Sequence, residues 1–287
     1  MANIYYSDMD GTLLNAEGRL GSEQRARLHQ LISDGVRFSV ATGRNMHAIQ
    51  SELGELAIEL PVIENNGSYL SDYRSGEKLL VNYFPHDHLD DIMEEFFRSD
   101  TSPIFLYFED GIEKMFTPRN QLNEGMLAFR EFRQKLGDEV FDVVEDLRLL
   151  PRDGLVNLQA IGREDEIRQI EQRLAQFPEH YEVHSMHTYG GWWYVNIASH
   201  DSSKAHGIER VRGMIAPEDR MIVFGDNVND IPMLKVADIS IAMSNALPEV
   251  KAVADLVIGD HRDDAVIAFM EQHRNDPIHL IKGKERT

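Results

Sequence analysis

Apolar and polar positions alternate along the chain in short bursts, and the rhythm of the bursts changes twice. Ile4 to Ser7 is a short run of strand type, and Ser22 to Asp34 has helical spacing, with Leu28, Leu31 and Ile32 on one face and Gly35 as a stop. VRFSVATGR predicts a second strand that runs out into Thr42, Gly43 and Arg44, followed by a helix from Met46 to Leu53. The strand PVIEN and a turn at Asn65-Asn66-Gly67 come next. Strand, helix, strand, helix, strand predicts a parallel sheet with crossover helices.

Near Tyr83 the pattern shifts. Helices are expected at Asp90 to Arg98, Asn120 to Leu136 and Glu164 to Phe177, among strands at Ile104 to Glu109, Glu113 to Phe116, Val140 to Val144, LVNLQAIG, HYEVHSM and GWWYVNIA. Helices on an antiparallel sheet predict an α+β insert. Parallel grammar then returns, with a helix from Ser203 to Ile215, the strands RMIVFGD, ADISIAM and ADLVIG, and helices at Asp230 to Val236, Pro248 to Val253 and Asp263 to His273. The expected organisation is an α/β core built from residues 1–83 and 199–287, with residues 84–198 as an inserted domain and hinges near Asn82 to Pro85 and Ala198 to Ser202. The tail DPIHLIKGKERT is expected to be peripheral.

Composition narrows the function. The 287 residues are 42% hydrophobic, enough for a sizeable buried core. Lys and Arg number 29 against 49 Asp and Glu, for a formal charge of -20. That balance opposes nonspecific binding to nucleic acid and to anionic membranes, both of which depend on basic surfaces. With no cysteine, disulfides, thiolate zinc sites and a cysteine nucleophile are excluded, which fits a cytoplasmic protein. No segment approaches the roughly 18 apolar residues of a membrane span, and the N-terminus has no signal-peptide pattern, so an unexported, soluble chain is expected.

Ligands of open α/β sheets bind at the carboxyl ends of the strands, so the residues just past each strand are the candidates for chemistry. Strand one delivers Asp8 and Asp10, strand two Thr42, and RMIVFGD delivers Asp226, with Asn227, Asn229 and Asp230 close behind. Lys204 precedes the helix that leads into RMIVFGD. Two carboxylates one residue apart in a partly buried place raise each other's pKa, and a cation relieves them. Asp8 and Asp226 with a backbone carbonyl are hard oxygen ligands of the kind Mg²⁺ takes, often alongside a substrate phosphate. The Thr42 hydroxyl, nearby backbone N–H groups and the Lys204 ammonium can meet phosphate oxygens.

The motifs DMDGT at Asp8 to Thr12, ATGR at Ala41 to Arg44, Lys204 in SSKAHG and GDNVNDIPML at Gly225 to Leu234 occur in the order of the haloacid dehalogenase superfamily. The chain resembles its Cof-type subfamily IIB, whose downstream pattern SIAMSNALPEVKAVAD also matches. The resemblance implies a Rossmann-like core with a C2B-type α+β cap that closes over the site and selects substrates. It also implies a Mg²⁺-dependent phosphatase acting on small phosphorylated metabolites through an aspartyl-phosphate. Asp8 would then be the nucleophile and Asp10 the general acid and base. Asp8, the Asp10 backbone carbonyl and Asp226 would hold the metal, with Asp230 in support. Met9, Thr42, Gly43, Lys204 and Asn229 would bind phosphate. Asn227 stands where the family often has glycine, and Ser7 is polar in an often apolar strand. Two rivals share the fold: a phosphosugar mutase and a noncatalytic phosphometabolite-binding protein.

Some features have plainer readings. Arg44 could bind substrate or form a surface ion pair, Asp230 could also cap its helix, and Asn66 could orient site residues or only make its turn. HDHLDD at His86 to Asp91 reads as a charged helix start. His184 and His187 fall on opposite faces of a strand, which argues against a shared metal. Tyr107, His184, Trp192 and Tyr194 are candidate cap residues for a sugar phosphate, with Trp192 and Trp193 on opposite faces.

Overall fold

A computed structural model describes residues 2–135, 141–175, 181–187 and 191–274. Contacts divide the chain into two units, Met1–Leu80 with Ser203–Thr287, and Val81–Ser202. The crossings thus lie slightly outside the expected insert of residues 84–198.

The first unit opens with β1 (Asn3–Ser7), α1 (Ser22–Ser33), β2 (Arg37–Val40), α2 (Met46–Leu53) and β3 (Val62–Glu64). A tight turn at Asn65–Gly67 leads into β4 (Tyr69–Ser71), and β5 (Lys78–Val81) follows. These last three strands form a small sheet in the order β3-β4-β5. Periodicity did not reveal β5, whose four residues are too few to show one. Glu64 pairs with Tyr69 across a four-residue loop, in which Asn65, Asn66 and Gly67 all have positive φ, 48°, 53° and 95°.

The second unit contains α3 (Leu89–Phe97), β6 (Ser102–Glu109), β7 (Ile112–Pro118), α4 (Glu124–Lys135), β8 (Phe141–Val144), β9 (Leu155–Gly162), α5 (Glu164–Leu174), β10 (Tyr181–His187) and β11 (Trp193–Ser199). Its sheet runs β10-β11-β9-β6-β7-β8. The sheet is mixed, not wholly antiparallel as expected, because β7 and β8 pair in parallel. A crossover through α4 makes that direction reachable. On one face Phe105, Leu158, Ala160, Val195 and Ile197 pack with Ile92 and Phe96 of α3 and Ile167 and Ile170 of α5. The opposite face lies toward α4, whose Gly125 abuts Trp192 and Ile161.

The chain then returns to the first unit with α6 (Lys204–Arg212), β12 (Arg220–Gly225), α7 (Ile231–Val236), β13 (Ile239–Ala242), α8 (Pro248–Val253), β14 (Leu256–Val257) and α9 (Ala265–His273). The main sheet has the order β14-β13-β12-β1-β2 and its pairings are parallel. Its central strands read as continuous apolar runs, Ile4–Tyr5–Tyr6 and Met221–Ile222–Val223–Phe224, because helices cover both faces. Placing β1 beside β12 brings Ser7 opposite Phe224, so Asp8 and Asp226 emerge from the same sheet end. The expected peripheral tail lies outside the described residues.

The core sets stability here. Ile222 on β12 is fully buried, and Ile222→Ala is expected to cost about 2–5 kcal/mol in a urea titration, the usual penalty for an unfilled core cavity.

Candidate active site

Past β1 the backbone makes one wide turn over Met9–Leu13, closed by the Leu14 N–H donating to the Met9 carbonyl at 2.8 Å. Gly11 sits at φ 81°, and a Cβ there would run into the Asp226 carboxylate, so the position demands glycine. The turn separates the two leading carboxylates. Asp8 is 5% exposed, whereas the Asp10 side chain is 56% exposed. Ser7, the polar departure in the strand, donates its hydroxyl to the Asp8 carbonyl at 2.6 Å.

Asp8 meets its partners around one ammonium. Lys204 Nζ donates to Asp8 Oδ1 at 2.6 Å and to Asp230 Oδ1 at 2.7 Å. Lys204 is buried because it starts α6, whose N-cap Ser203 accepts from the His206 N–H. The turn at Asn65–Gly67 packs tightly on this helix start: Gly67, at φ 95°, lies against the Ser203 backbone where no Cβ fits. Asp230 Oδ2 accepts from the backbone N–H groups of Asp226 (2.9 Å) and Asn227 (3.0 Å). It therefore braces the loop after β12 and makes no side-chain cap to α7, contrary to the capping role considered for it. Asn227 is a loop brace too, its side chain accepting from the Val228 N–H at 2.7 Å.

Asp8, Asp226 and Asp230 each offer a carboxylate oxygen within 4.8 Å of the others. Burial raises the Asp8 pKa well above the carboxylate range; Lys204 opposes the rise, while Asp230 and Asp226 add to it. Burial likewise pushes Asp226 up to about 6, although Thr12 donates its hydroxyl to Asp226 Oδ1 at 2.7 Å. Burial alone would lower the Lys204 pKa, but the carboxylates of Asp230 and Asp8 outweigh it and hold the ammonium charged. Three carboxylates against one ammonium leave the cluster short of positive charge. A cation with hard oxygen ligands fits that deficit, and the donor set is of the kind such ions take.

The other expected residues are placed as follows. Met9 is fully buried. Thr42, 1% exposed, spends its N–H on the Ile63 carbonyl and accepts from the Arg44 N–H on its hydroxyl oxygen, leaving the hydroxyl proton to donate. Gly43 lies against the Asn66 amide. Asn229 donates to Asn66 Oδ1 at 3.2 Å, and the Asn66 N–H donates to the Thr42 carbonyl, so Asn66 both makes its turn and links two site loops.

Arg44 forms an ion pair with Asp10 itself. Its Nε donates to Asp10 Oδ2 at 2.8 Å and a terminal nitrogen to Oδ1 at 2.6 Å. Sequence reasoning missed three supports of the wide turn: Thr12, Asn245, which donates to the Gly11 carbonyl at 2.8 Å, and His261, whose Nδ1 lies 2.7 Å from the Leu14 carbonyl. Thr12 and Asn245 lie inside quoted motifs, but nothing in the sequence marks His261. His184 and His187 hold strand positions in β10, and their side chains lie outside the described residues. Trp192 lies against Arg163 and Gly125, and Trp193 against Arg168, two separate packing roles. Tyr107 points into the α3–α5 face, its hydroxyl donating to the Pro151 carbonyl at 2.7 Å, so it is a packing residue of that face.

A model of haloacid dehalogenase-like hydrolases matches residues 5–270. The chain belongs to this family. It is a Cof-type phosphatase of the haloacid dehalogenase superfamily. It is 28% identical over 276 residues to the pyridoxal phosphate phosphatase of Escherichia coli, covering 93% of this chain and 96% of the relative. Its identity to the HMP-PP phosphatase of Serratia proteamaculans is 24% over 268 residues, with 93% of each covered. A solved subclass IIB sugar phosphatase shares the fold at TM-score 0.73 and 23% identity, covering 94% of this chain and 98% of its own. Among the described residues, no helix is long and apolar enough to cross a membrane.

The raised carboxylates make a pH prediction. The native Asp226, with its pKa near 6, keeps a proton that the unfolded chain, near 3.8, has released. Its contribution to stability is therefore full below the unfolded value and falls as pH rises through the native one. A divalent cation needs the ionised carboxylates, so the rise in Tm on adding Mg²⁺ is expected to be several degrees larger at pH 7.5 than at pH 5. Scanning fluorimetry that finds equal shifts at both pH values would contradict a carboxylate cation site.

Proposed function

We propose that this phosphatase is a Mg²⁺-dependent phosphomonoesterase that hydrolyses small phosphorylated metabolites, sugar phosphates above all, through an aspartyl-phosphate on Asp8. The observation that carries the reading is the buried Asp8 carboxylate at the end of β1, held by Lys204 beside Asp226 and Asp230. The inserted unit is the cap that selects the substrate, as the family resemblance implies.

In this reading Asp8, the Asp10 backbone carbonyl and Asp226 hold Mg²⁺, with Asp230 supporting them. Bound there, Mg²⁺ would neutralise charge on the phosphoryl oxygens. The Met9 N–H, the Thr42 hydroxyl, Gly43, Lys204 and Asn229 orient the phosphoryl group. An Asp8 oxygen attacks phosphorus as the bond to the leaving oxygen breaks, and Asp10 gives that oxygen a proton. Water then attacks phosphorus, Asp10 takes a proton from it, and the bond from phosphorus to Asp8 breaks to release phosphate.

The Arg44 pair adds a condition. Both Asp10 oxygens accept from Arg44, so Asp10 must give up at least one of these bonds before it can protonate a leaving group.

Asp8→Asn is expected to lower kcat by at least about 10⁴-fold, the scale for loss of a nucleophile. Asp10→Asn should lose about 10²–10⁴-fold, the usual share of general acid–base catalysis. Free phosphate released from a panel of phosphorylated metabolites is the assay, since a mutase would return the phosphoryl group to sugar. Full turnover by Asp8→Asn would refute the covalent route. Chelation with EDTA should abolish release and Mg²⁺ should restore it; activity that survives complete metal removal would refute the metal assignment.

A further inference from the structure

The turn at Asn65–Gly67 touches three elements that carry proposed phosphate ligands. The Asn65 N–H donates to the Arg44 carbonyl at 3.0 Å, and the Asn66 N–H donates to the Thr42 carbonyl at 2.9 Å. Gly67 lies against the backbone of Ser203, the residue before Lys204. The Asn66 side chain joins the Asn229 loop to the loop that holds Gly43. Its Oδ1 accepts from Asn229 Nδ2 at 3.2 Å, and its Nδ2 would stand 3.2 Å from a Cβ placed on Gly43. All of these residues belong to the first unit.

Two observations mark this amide as more than a turn residue. Asn66 holds φ at 53°, a left-handed conformation that glycine adopts at least cost, and the next residue is itself a glycine with φ 95°. Glycine at both positions would serve the turn alone. Asparagine tolerates the conformation, and its carbonyl oxygen has a task in accepting from Asn229. Because that oxygen faces the Asn229 donor, the amide has one orientation, and Nδ2 takes the side next to Gly43. Nδ2 carries two N–H groups, and among the described residues no hydrogen bond engages either.

Other donors stand on the elements that the turn braces. They are the Thr42 hydroxyl proton, the second N–H of Asn229 Nδ2 and the Lys204 ammonium. A phosphoryl group presents several strongly accepting oxygens, and donors brought from separate loops suit it.

We propose that Asn66 is a further phosphate-binding residue: its Nδ2 donates to a phosphoryl oxygen, while Oδ1, held by Asn229, keeps the amide from turning over. The contact rests on the reading of Asp8 as the centre of phosphoryl transfer. It recognises the phosphoryl group alone and is indifferent to the organic part of the substrate.

The test compares full-length wild type with Asn66→Asp and Asn66→Gly. Both replacements suit a positive φ, so the turn is kept. Asn66→Asp keeps an acceptor for Asn229 but puts a carboxylate oxygen where the donor stood, and that oxygen repels phosphate. Asn66→Gly removes donor and acceptor without adding charge. In Asn66→Asp the kcat/KM for phosphate release is expected to fall about a hundredfold or more, and in Asn66→Gly about tenfold. Each loss should be the same on p-nitrophenyl phosphate as on an alkyl phosphate, because the phosphoryl group is common to both. If Asn66 only holds Asn229, the order reverses, with Asn66→Asp near wild type and Asn66→Gly the poorer enzyme. That order would overturn the proposal, and so would equal losses, since a charge beside the phosphate must cost more than a missing donor.

Orthovanadate, a mimic of the phosphoryl group in transfer, separates this contact from the hydrolytic reading. Titrated calorimetrically with Mg²⁺ present, it is expected to bind wild type about tenfold or more tightly than Asn66→Asp, while the two proteins keep similar Tm. If that difference holds and no phosphate ester is hydrolysed, the contact stands and the hydrolytic reading fails. Equal binding, or none to wild type, overturns the contact.

Discussion

One buried ammonium organises the first unit. Lys204 stands between Asp8 and Asp230, two carboxylates that could not share a buried space without it. Removing one partner of such a buried group typically costs about 3–5 kcal/mol, because the remaining charge is stranded. The surrounding architecture serves this contact. The parallel pairing of β1 with β12 brings Asp8 and the Asp226–Asp230 loop to one sheet end, and the N-cap of α6 aims Lys204 between them. Gly67, too close to Ser203 to carry a side chain, lets the turn after β3 close against the helix start.

The same crowding explains why the site suits a cation. Lys204 satisfies one oxygen of Asp8 and one of Asp230, and two backbone N–H groups satisfy the other oxygen of Asp230. Asp226 takes a hydrogen bond from the Thr12 hydroxyl and keeps a raised pKa. The unmet charge therefore concentrates on Asp8 and Asp226. Asp10, exposed and paired with Arg44, stands outside that cluster although it is only two residues from Asp8. The wide turn at Met9–Leu13 makes the division, since it buries one carboxylate and turns the other to solvent. A single loop thus supplies two groups with different electrostatic surroundings, as a covalent step and a proton transfer demand.

In the inserted unit, strand alternation assigns a different task to each face of one sheet. The α3–α5 face is apolar and closes a core. The α4 face mixes Ile104 and Leu106 with the buried amides of Asn157, Gln159 and Asn196.

Much of this protein was legible in its sequence. The apolar periods located most strands and helices, and the residues just past the strands gave Asp8, Asp10, Thr42 and Asp226, because a strand's end and a helix's start are local events written in neighbouring residues. The motifs in their order marked Lys204 and Asp230 as well. Partner choice was not legible. That Arg44 takes Asp10, that Asp230 braces a loop and does not cap its helix, and that His261 supports the turn after β1 depend on residues far apart in the chain. The parallel pairing of β7 with β8, and the burial of the Asn157, Gln159 and Asn196 amides, depend on how strands order and which helix covers which face. Period and composition report a residue's own surroundings along the chain; only the folded sheet decides which distant group it meets.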